Sequence, residues 1–221
     1  MTEQQAFHRE QSRFNMIEQQ IRTWEVLDPV VLDLLKKVPR EAFVPSKYEG
    51  LAFADLEIPL GEGQLMLSPK VEGRILQALA IQKTDKVLEI GTGAGYLTAL
   101  MATQAKHVDS VELNSKLSQA ADKRIAAQKI KNVSLHVADG LNASDKIYDV
   151  IVLTGSLPVY PEQIERQLAM GGRMFVVVGD EPAMEAILVT RVTKDAVRRD
   201  NLFETCLPPL VNAPQPSRFS F

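Results

Sequence analysis

Hydrophobic and polar positions change their texture near residue 80 of this chain. Before that point apolar groups recur at helical spacing. Met16, Ile17, Ile21 and Trp24 share one face of a short predicted helix, and Val30, Val31, Leu34, Leu35 and Val38 repeat the pattern behind Asp28-Pro29, a cap followed by proline at the first helical position. Pro39 and Pro45 break the chain into turns, and the spacing of Val71, Ile75, Leu76 and Leu79 predicts a helix from Pro69 to about Ala80 with Ser68 as its N-cap. Beyond Ala80, short β-branched runs alternate with helical segments, the sign of a parallel sheet covered on both faces. Strands are predicted at Lys86 to Ile90, His107 to Glu112, Val133 to Ala138, Asp149 to Leu153, Arg173 to Val178, Glu185 to Lys194 and Leu202 to Leu207. Helices are predicted at Tyr96 to Ala105, Ser115 to Gln128 and Glu162 to Ala169. The last two strands have no helix between them, so an antiparallel pair should finish the sheet, with Arg198-Arg199-Asp200 read as a hairpin turn of solvated charge. The expectation is an α/β fold in a single domain over 1–221: a helical N-terminal extension over 1–80, the sheet over 81–212 and a tail over 213–221.

Composition narrows the class. With 45% hydrophobic and 24% charged residues and a mean hydropathy of -0.07, the chain reads as a soluble globular protein. Its 25 basic against 28 acidic residues give a net charge of -3, no polycation signature for nucleic acid or anionic lipid. The N-terminal Met1 to Gln20 has no apolar h-region, and the strongly apolar runs Val150 to Leu153 and Met174 to Val178 are far too short to span a membrane. A cytoplasmic protein with neither membrane nor nucleic-acid partner is expected. Cys206, alone, can form neither an intramolecular disulfide nor a thiolate zinc cage and reads as a small buried hydrophobe. His107 and His136 lack metal-ligand spacing, so no metal is expected.

The chemistry concentrates after the first predicted strand. Val87-Leu88-Glu89-Ile90-Gly91-Thr92-Gly93-Ala94-Gly95-Tyr96 is an apolar strand running through three alternate glycines into a helix, a tight turn whose bare backbone lets a ligand reach its amides. The spacing is Gly-x-Gly-x-Gly, not the Gly-x-Gly-x-x-Gly of dinucleotide folds, which tells against a pyrophosphate cradle. Glu89 ahead of the loop would repel phosphate and attract an ammonium or sulfonium group, so S-adenosylmethionine suits the site better than NAD. Glu112 ends the next strand at roughly the 20-residue offset of a ribose-binding carboxylate. Asp139, followed by Gly140, ends the third and could bind an adenine amino group. Each acid taken singly is also a strand end, cap or turn residue; their recurrence at three successive strand ends, where open α/β sheets bind ligands, marks a methyl-donor site.

These residues, with Met16-Ile17-Glu18-Gln19-Gln20-Ile21, Val38-Pro39-Arg40-Glu41-Ala42-Phe43-Val44-Pro45, Pro59-Leu60-Gly61-Glu62-Gly63-Gln64, Tyr148-Asp149-Val150-Ile151-Val152-Leu153-Thr154 and Gly171-Gly172-Arg173-Met174, resemble the protein-L-isoaspartate O-methyltransferases. The glycine loop is common to many methyltransferases, whereas the Val-Pro-Arg…Phe-Val-Pro and Gly-x-Gly-Gln blocks are more particular to this family. The resemblance implies a Rossmann-like seven-stranded methyltransferase sheet, S-adenosyl-L-methionine as donor and isoaspartyl-containing peptides or proteins as acceptor. The donor-binding set expected from the residues and the resemblance together is Glu89, Gly91, Thr92, Gly93, Gly95, Tyr96, Glu112, Leu113, Asp139 and Gly140, with Gln64, Leu67 and Thr154.

One departure lies at the site. The family typically has Gln-Thr-Ile-Ser, one further residue and Pro, with the hydroxyls beside the transferred methyl; here the run is Gln64-Leu65-Met66-Leu67-Ser68-Pro69. Ser68 is the one hydroxyl left as a catalytic candidate, one place late, and a helix cap is its other reading. Methyl transfer to a carboxylate with a pKa of about 4 needs no general base, since the acceptor is already ionised at neutral pH. The task is alignment in a site poor in water. The apolar run leaves two alternatives open: a methyltransferase of the same fold with a small-molecule or RNA acceptor, and a donor-binding protein without isoaspartyl activity.

Overall fold

The computed structural model describes residues 3–142 and 144–216. Helix α1 (Glu3–Asn15) passes into a π-turn over Met16–Ile21 and a 3-10 turn over Arg22–Trp24, which Glu25 ends in the left-handed region at φ 61°. Sequence pattern missed α1 because none of its residues is buried and it carries no apolar stripe. Ion pairs from Arg9 and Arg13 to Glu41, and from Arg9 to Glu49, hold it. Helix α2 (Pro29–Lys37) begins as predicted, with the Asp28 carboxylate accepting the Val30 N–H.

A short hairpin follows, β1 (Ile58–Gly61) and β2 (Gln64–Met66), turned by Glu62 and Gly63 at φ 54° and 73°. It was not predicted: strands this short show no alternation, and Pro59 argues against a ladder. Helix α3 (Pro69–Leu79) then leads to β3 (Lys86–Ile90), α4 (Tyr96–Gln104), β4 (His107–Glu112), α5 (Ser115–Ala127), β5 (Val133–Val137) and β6 (Tyr148–Leu157). One turn of helix, α6 (Glu162–Glu165), precedes β7 (Leu168–Asp180), β8 (Ala183–Arg191) and β9 (Val197–Thr205).

The seven long strands form one sheet in the order β5-β4-β3-β6-β7-β8-β9, parallel through β7 and antiparallel from β7 to β9. The predicted antiparallel finish is present; its details differ. Helix Glu162 to Ala169 shrinks to α6 because Leu168 already pairs with Tyr148 across β6 and β7. Arg198-Arg199-Asp200 is no turn: it lies inside β9 opposite Thr190, Val189 and Leu188, and the turn falls earlier, where the Val192 and Thr193 N–H groups donate to the Ala196 carbonyl. Cys206 is exposed rather than buried, its thiol directed at Glu181.

Alternation along the central strands divides the core. Val87, Val150, Val152, Phe175 and Val177 face α2, α3 and α4, while Leu88, Ile151, Leu153, Met174 and Val176 fill the opposite side. Helix α4 is buried on every side from Tyr96 to Ala102, which explains a sequence there that is apolar apart from Thr98 and fixes the end of the helix that adjoins the glycine loop. Among the described residues no helix is long and apolar enough to cross a membrane.

Candidate active site

One cavity of about 310 Å³ opens at the carboxyl ends of β3, β4, β5 and β6, at the lower end of the ~300–1,000 Å³ usual for small-molecule sites. Its floor is the glycine loop. Gly91 leaves β3 at φ 98°, its N–H donating to the Val111 carbonyl, and a Cβ there would lie 2.2 Å from the Thr154 Oγ1. That hydroxyl donates to the Gly91 carbonyl at 2.7 Å and is 3.1 Å from the Ile90 carbonyl, tying the loop to the end of β6. Gly140 is equally hemmed in, because a Cβ would meet Ile90 Cγ2 at 2.7 Å. Gly95 differs: it caps α4 at φ 83° and packs against Ala121 and Ile125 of α5, so it shapes the loop from behind and is not on the cavity wall.

The three acids predicted at strand ends all reach this cavity. Glu112 accepts N–H bonds from Gly93 and Asn114, both 2.9 Å, one on each oxygen, so each oxygen keeps a lone pair for a further donor. Asp139 accepts the Leu141 N–H at 3.0 Å and the Asn212 side-chain amide at 2.9 Å. Glu89 corrects the sequence expectation of a carboxylate at a strand tip. It is fully buried beneath the loop, one oxygen accepting from the Thr98 and Ser110 hydroxyls and the other without a protein partner. Burial pushes its pKa up to about 8 against those two bonds, so it is largely protonated in neutral solution. An uncompensated buried oxygen on the wall of a ligand cavity fits the ammonium group of an amino-acid ligand.

The hairpin β1–β2 and the residues after it supply another wall: Gln64, Leu65, Met66 and Leu67 line the cavity, whereas Ser68 does not. Ser68 occupies the N-cap position of α3, as the sequence suggests, and its main chain is suitably extended at ψ 150°. Its hydroxyl nevertheless makes no capping bond, so the expected cap operates through the backbone alone. The loop is held from below by Arg40, which the sequence reading left unassigned. Its guanidinium is buried, pairs with Glu72, donates to the Leu67 carbonyl at 2.6 Å and the Ala52 carbonyl at 3.0 Å, and lies 5.1 Å from the Tyr96 ring centre. Burial raises Glu72 to about 7, the Arg40 charge opposing.

A second unforeseen wall comes from 208–211. Ser156 brackets this segment by donating its N–H to Pro208 and accepting that of Leu210, both at 3.0 Å, while its hydroxyl donates to Leu207. Leu210 is thereby laid over Gly91 and Gly155. Pro208-Pro209 was the signal available in the sequence, a rigid extended segment after the last strand. The other expected residues, Thr92, Gly93, Tyr96, Leu113 and Thr154, line the cavity. Among the described residues no group of His, Cys, Asp and Glu is arranged to hold a metal ion.

A seven-stranded sheet with this strand order and a glycine loop backed by acids at three strand ends defines a Rossmann-like, S-adenosylmethionine-dependent methyltransferase. Comparison with known proteins sharpens the class. Residues 11–215 match the model of the protein-L-isoaspartate(D-aspartate) O-methyltransferase family. A protein-L-isoaspartate O-methyltransferase of Rhodopseudomonas palustris is 37% identical over 201 residues, covering 90% of this chain and 92% of its own. One from Protochlamydia amoebophila is also 37% identical, covering 89% and 95% respectively. In fold, the chain resembles a protein-L-isoaspartate O-methyltransferase of Plasmodium falciparum solved in complex with S-adenosyl-L-homocysteine, with a TM-score of 0.75, 18% identity and coverage of 89% and 96%. The chain belongs to the protein-L-isoaspartate(D-aspartate) O-methyltransferase family.

Proposed function

We propose that this chain methylates the free α-carboxylate of isoaspartyl residues in damaged proteins or peptides, with the donor along the strand ends and the acceptor between the hairpin loop and 208–211. The observation that carries the reading is that one cavity joins the glycine loop and its three acids to both of those walls. In this arrangement Glu112 takes the donor's ribose hydroxyls, Asp139 and Gly140 its adenine, and Glu89 with the glycine loop its amino-acid end. Bound S-adenosylmethionine supplies a methyl group activated on a sulfonium.

The protein's own contribution is placement and exclusion of water. The acceptor carboxylate is ionised at neutral pH, so no side chain has to remove a proton. Of the three hydroxyl-bearing residues on the cavity wall, Thr92 is committed to Ser110 at 2.6 Å and Thr154 to the loop carbonyls, while the Tyr96 hydroxyl is buried without a partner among the described residues. Leu65, Leu67 and Leu210 therefore align the acceptor chiefly by shape, in surroundings that do not compete for the carboxylate with strong hydrogen bonds. The test is transfer of a labelled methyl group from S-adenosylmethionine to an isoaspartyl peptide and to its matched aspartyl peptide. Transfer to the isoaspartyl peptide alone is expected. A protein that binds the donor yet labels neither would refute the acceptor assignment and turn attention to the apolar acceptor that Leu65-Met66-Leu67 would suit.

A further inference from the structure

Six carboxylates line the cavity, and among the described residues no lysine or arginine does. Five have at least one hydrogen-bond or ion-pair partner within the protein. Glu62 pairs with Lys116 at 3.0 Å, Glu72 with Arg40, Glu89 holds two hydroxyls, Glu112 two backbone N–H groups, and Asp139 an N–H and the Asn212 amide. Glu57, immediately before β1, is the exception. It is half-buried on the cavity wall and, among the described residues, has neither a hydrogen-bond donor nor a cation beside it. A titratable neighbour among the described residues is the Cys206 thiol, pushed up by desolvation and by Glu181 as well as by Glu57; a thiol, neutral or ionised, supplies no positive charge. Burial alone raises the Glu57 carboxyl above its usual range, an unfavourable environment that an approaching cation would reverse.

Glu57 also stands on the acceptor side. Two residues further on, in β1, Pro59 pairs with Leu65, a residue that is 39% exposed and lines the same cavity. An apolar surface next to an unpaired carboxylate is the complement of a long basic side chain, which can lay its methylenes on one and its charge on the other. We propose that Glu57 is a specificity-determining residue that selects isoaspartyl sites flanked by lysine or arginine, with Leu65 receiving the alkyl stem. The proposal rests on the isoaspartyl reading above.

The experiment uses three isoaspartyl peptides that differ only in the residue beside the damaged one, Lys, Gln or Glu, with kcat/KM measured for the native protein, Glu57→Gln and Glu57→Lys. The native protein should favour the Lys over the Glu peptide about 10-fold; the preference should shrink to about 2-fold in Glu57→Gln, invert in Glu57→Lys and weaken at high salt. An unchanged Lys-to-Glu ratio in a folded Glu57→Gln protein would overturn the proposal, as would the absence of any preference in the native one. Binding of the same peptides, fluorescently labelled, to protein saturated with S-adenosylhomocysteine separates the two readings. Charge-ordered binding that depends on Glu57 without turnover would refute the isoaspartyl reaction and leave the cation site standing. Binding without charge order, or none, would refute the cation site.

Discussion

Replacing Gly91 by alanine puts a methyl group 2.2 Å from the Thr154 hydroxyl in a backbone held at φ 98°. Two costs separate cleanly. A side chain at this left-handed φ costs about 1–2 kcal/mol wherever its neighbours are, and the collision adds about 1–3 kcal/mol of overpacking together with about 1 kcal/mol for displacing Thr154 from the loop carbonyls. Only the second part depends on the hydroxyl, since the next atoms, Leu210 Cδ2 and Thr154 Cβ, lie at 3.4 and 3.5 Å, ordinary contact distances. Thr154→Ala alone should cost about 1 kcal/mol, and Gly91→Ala alone about 3–6 kcal/mol. The double variant should be more stable than their sum by about 2–4 kcal/mol, because the colliding atom is gone and its hydrogen bond is lost only once. Urea unfolding of the four proteins gives the coupling, and calorimetry with S-adenosylmethionine shows whether donor affinity returns with it. Strict additivity to within about 0.5 kcal/mol would refute the claim that Thr154 fixes the loop through that contact.

Ser68→Ala should lower stability by less than about 0.5 kcal/mol, below the usual ~1 kcal/mol for a functional cap, and should leave turnover per folded molecule unchanged; a loss above about 1 kcal/mol would show a capping bond in solution. Glu89→Gln tests the buried carboxyl through pH. With its pKa raised to about 8, folded Glu89 holds a proton that the unfolded chain releases above its ordinary value of 4.5, so native stability falls as pH rises from about 5 to about 8. Glu72, raised to about 7, steepens the lower part of that fall in both proteins. The stability of Glu89→Gln relative to the native protein should therefore climb across this window, and parallel urea midpoints from pH 5 to 8.5 would contradict it.

The centre of the sheet was readable in the sequence because β3, β6 and β7 carry apolar runs buried on both faces, and α4 and α5 separate β3, β4 and β5. The donor end was readable for a related reason: a glycine loop and strand-end acids sit at fixed offsets from predictable elements. The acceptor end obeys neither rule. Its walls are a hairpin of four and three residues and an irregular segment held by Ser156, structures that tertiary contacts impose on sequences without periodicity. Arg40 was visible as part of a family block, yet the sequence alone could not show that its guanidinium supports the Leu67 carbonyl 27 positions later. Ser68 was placed correctly on α3 while its hydroxyl was assigned a bond it does not make, because cap propensity describes a position and not the rotamer chosen there.

The bracketing of 208–211 by Ser156 affects the order in which the site is assembled during synthesis. The glycine loop, its acids and Thr154 emerge from the ribosome well before the residues that roof them, so the donor end has its parts while Gly91 and Gly155 are still uncovered. Leu210 completes the enclosure only after β8 and β9 have been made and have paired back onto β7. A nascent chain halted within β9 would thus display a methyl-donor cleft open to water on the side where alignment of the acceptor depends on its absence.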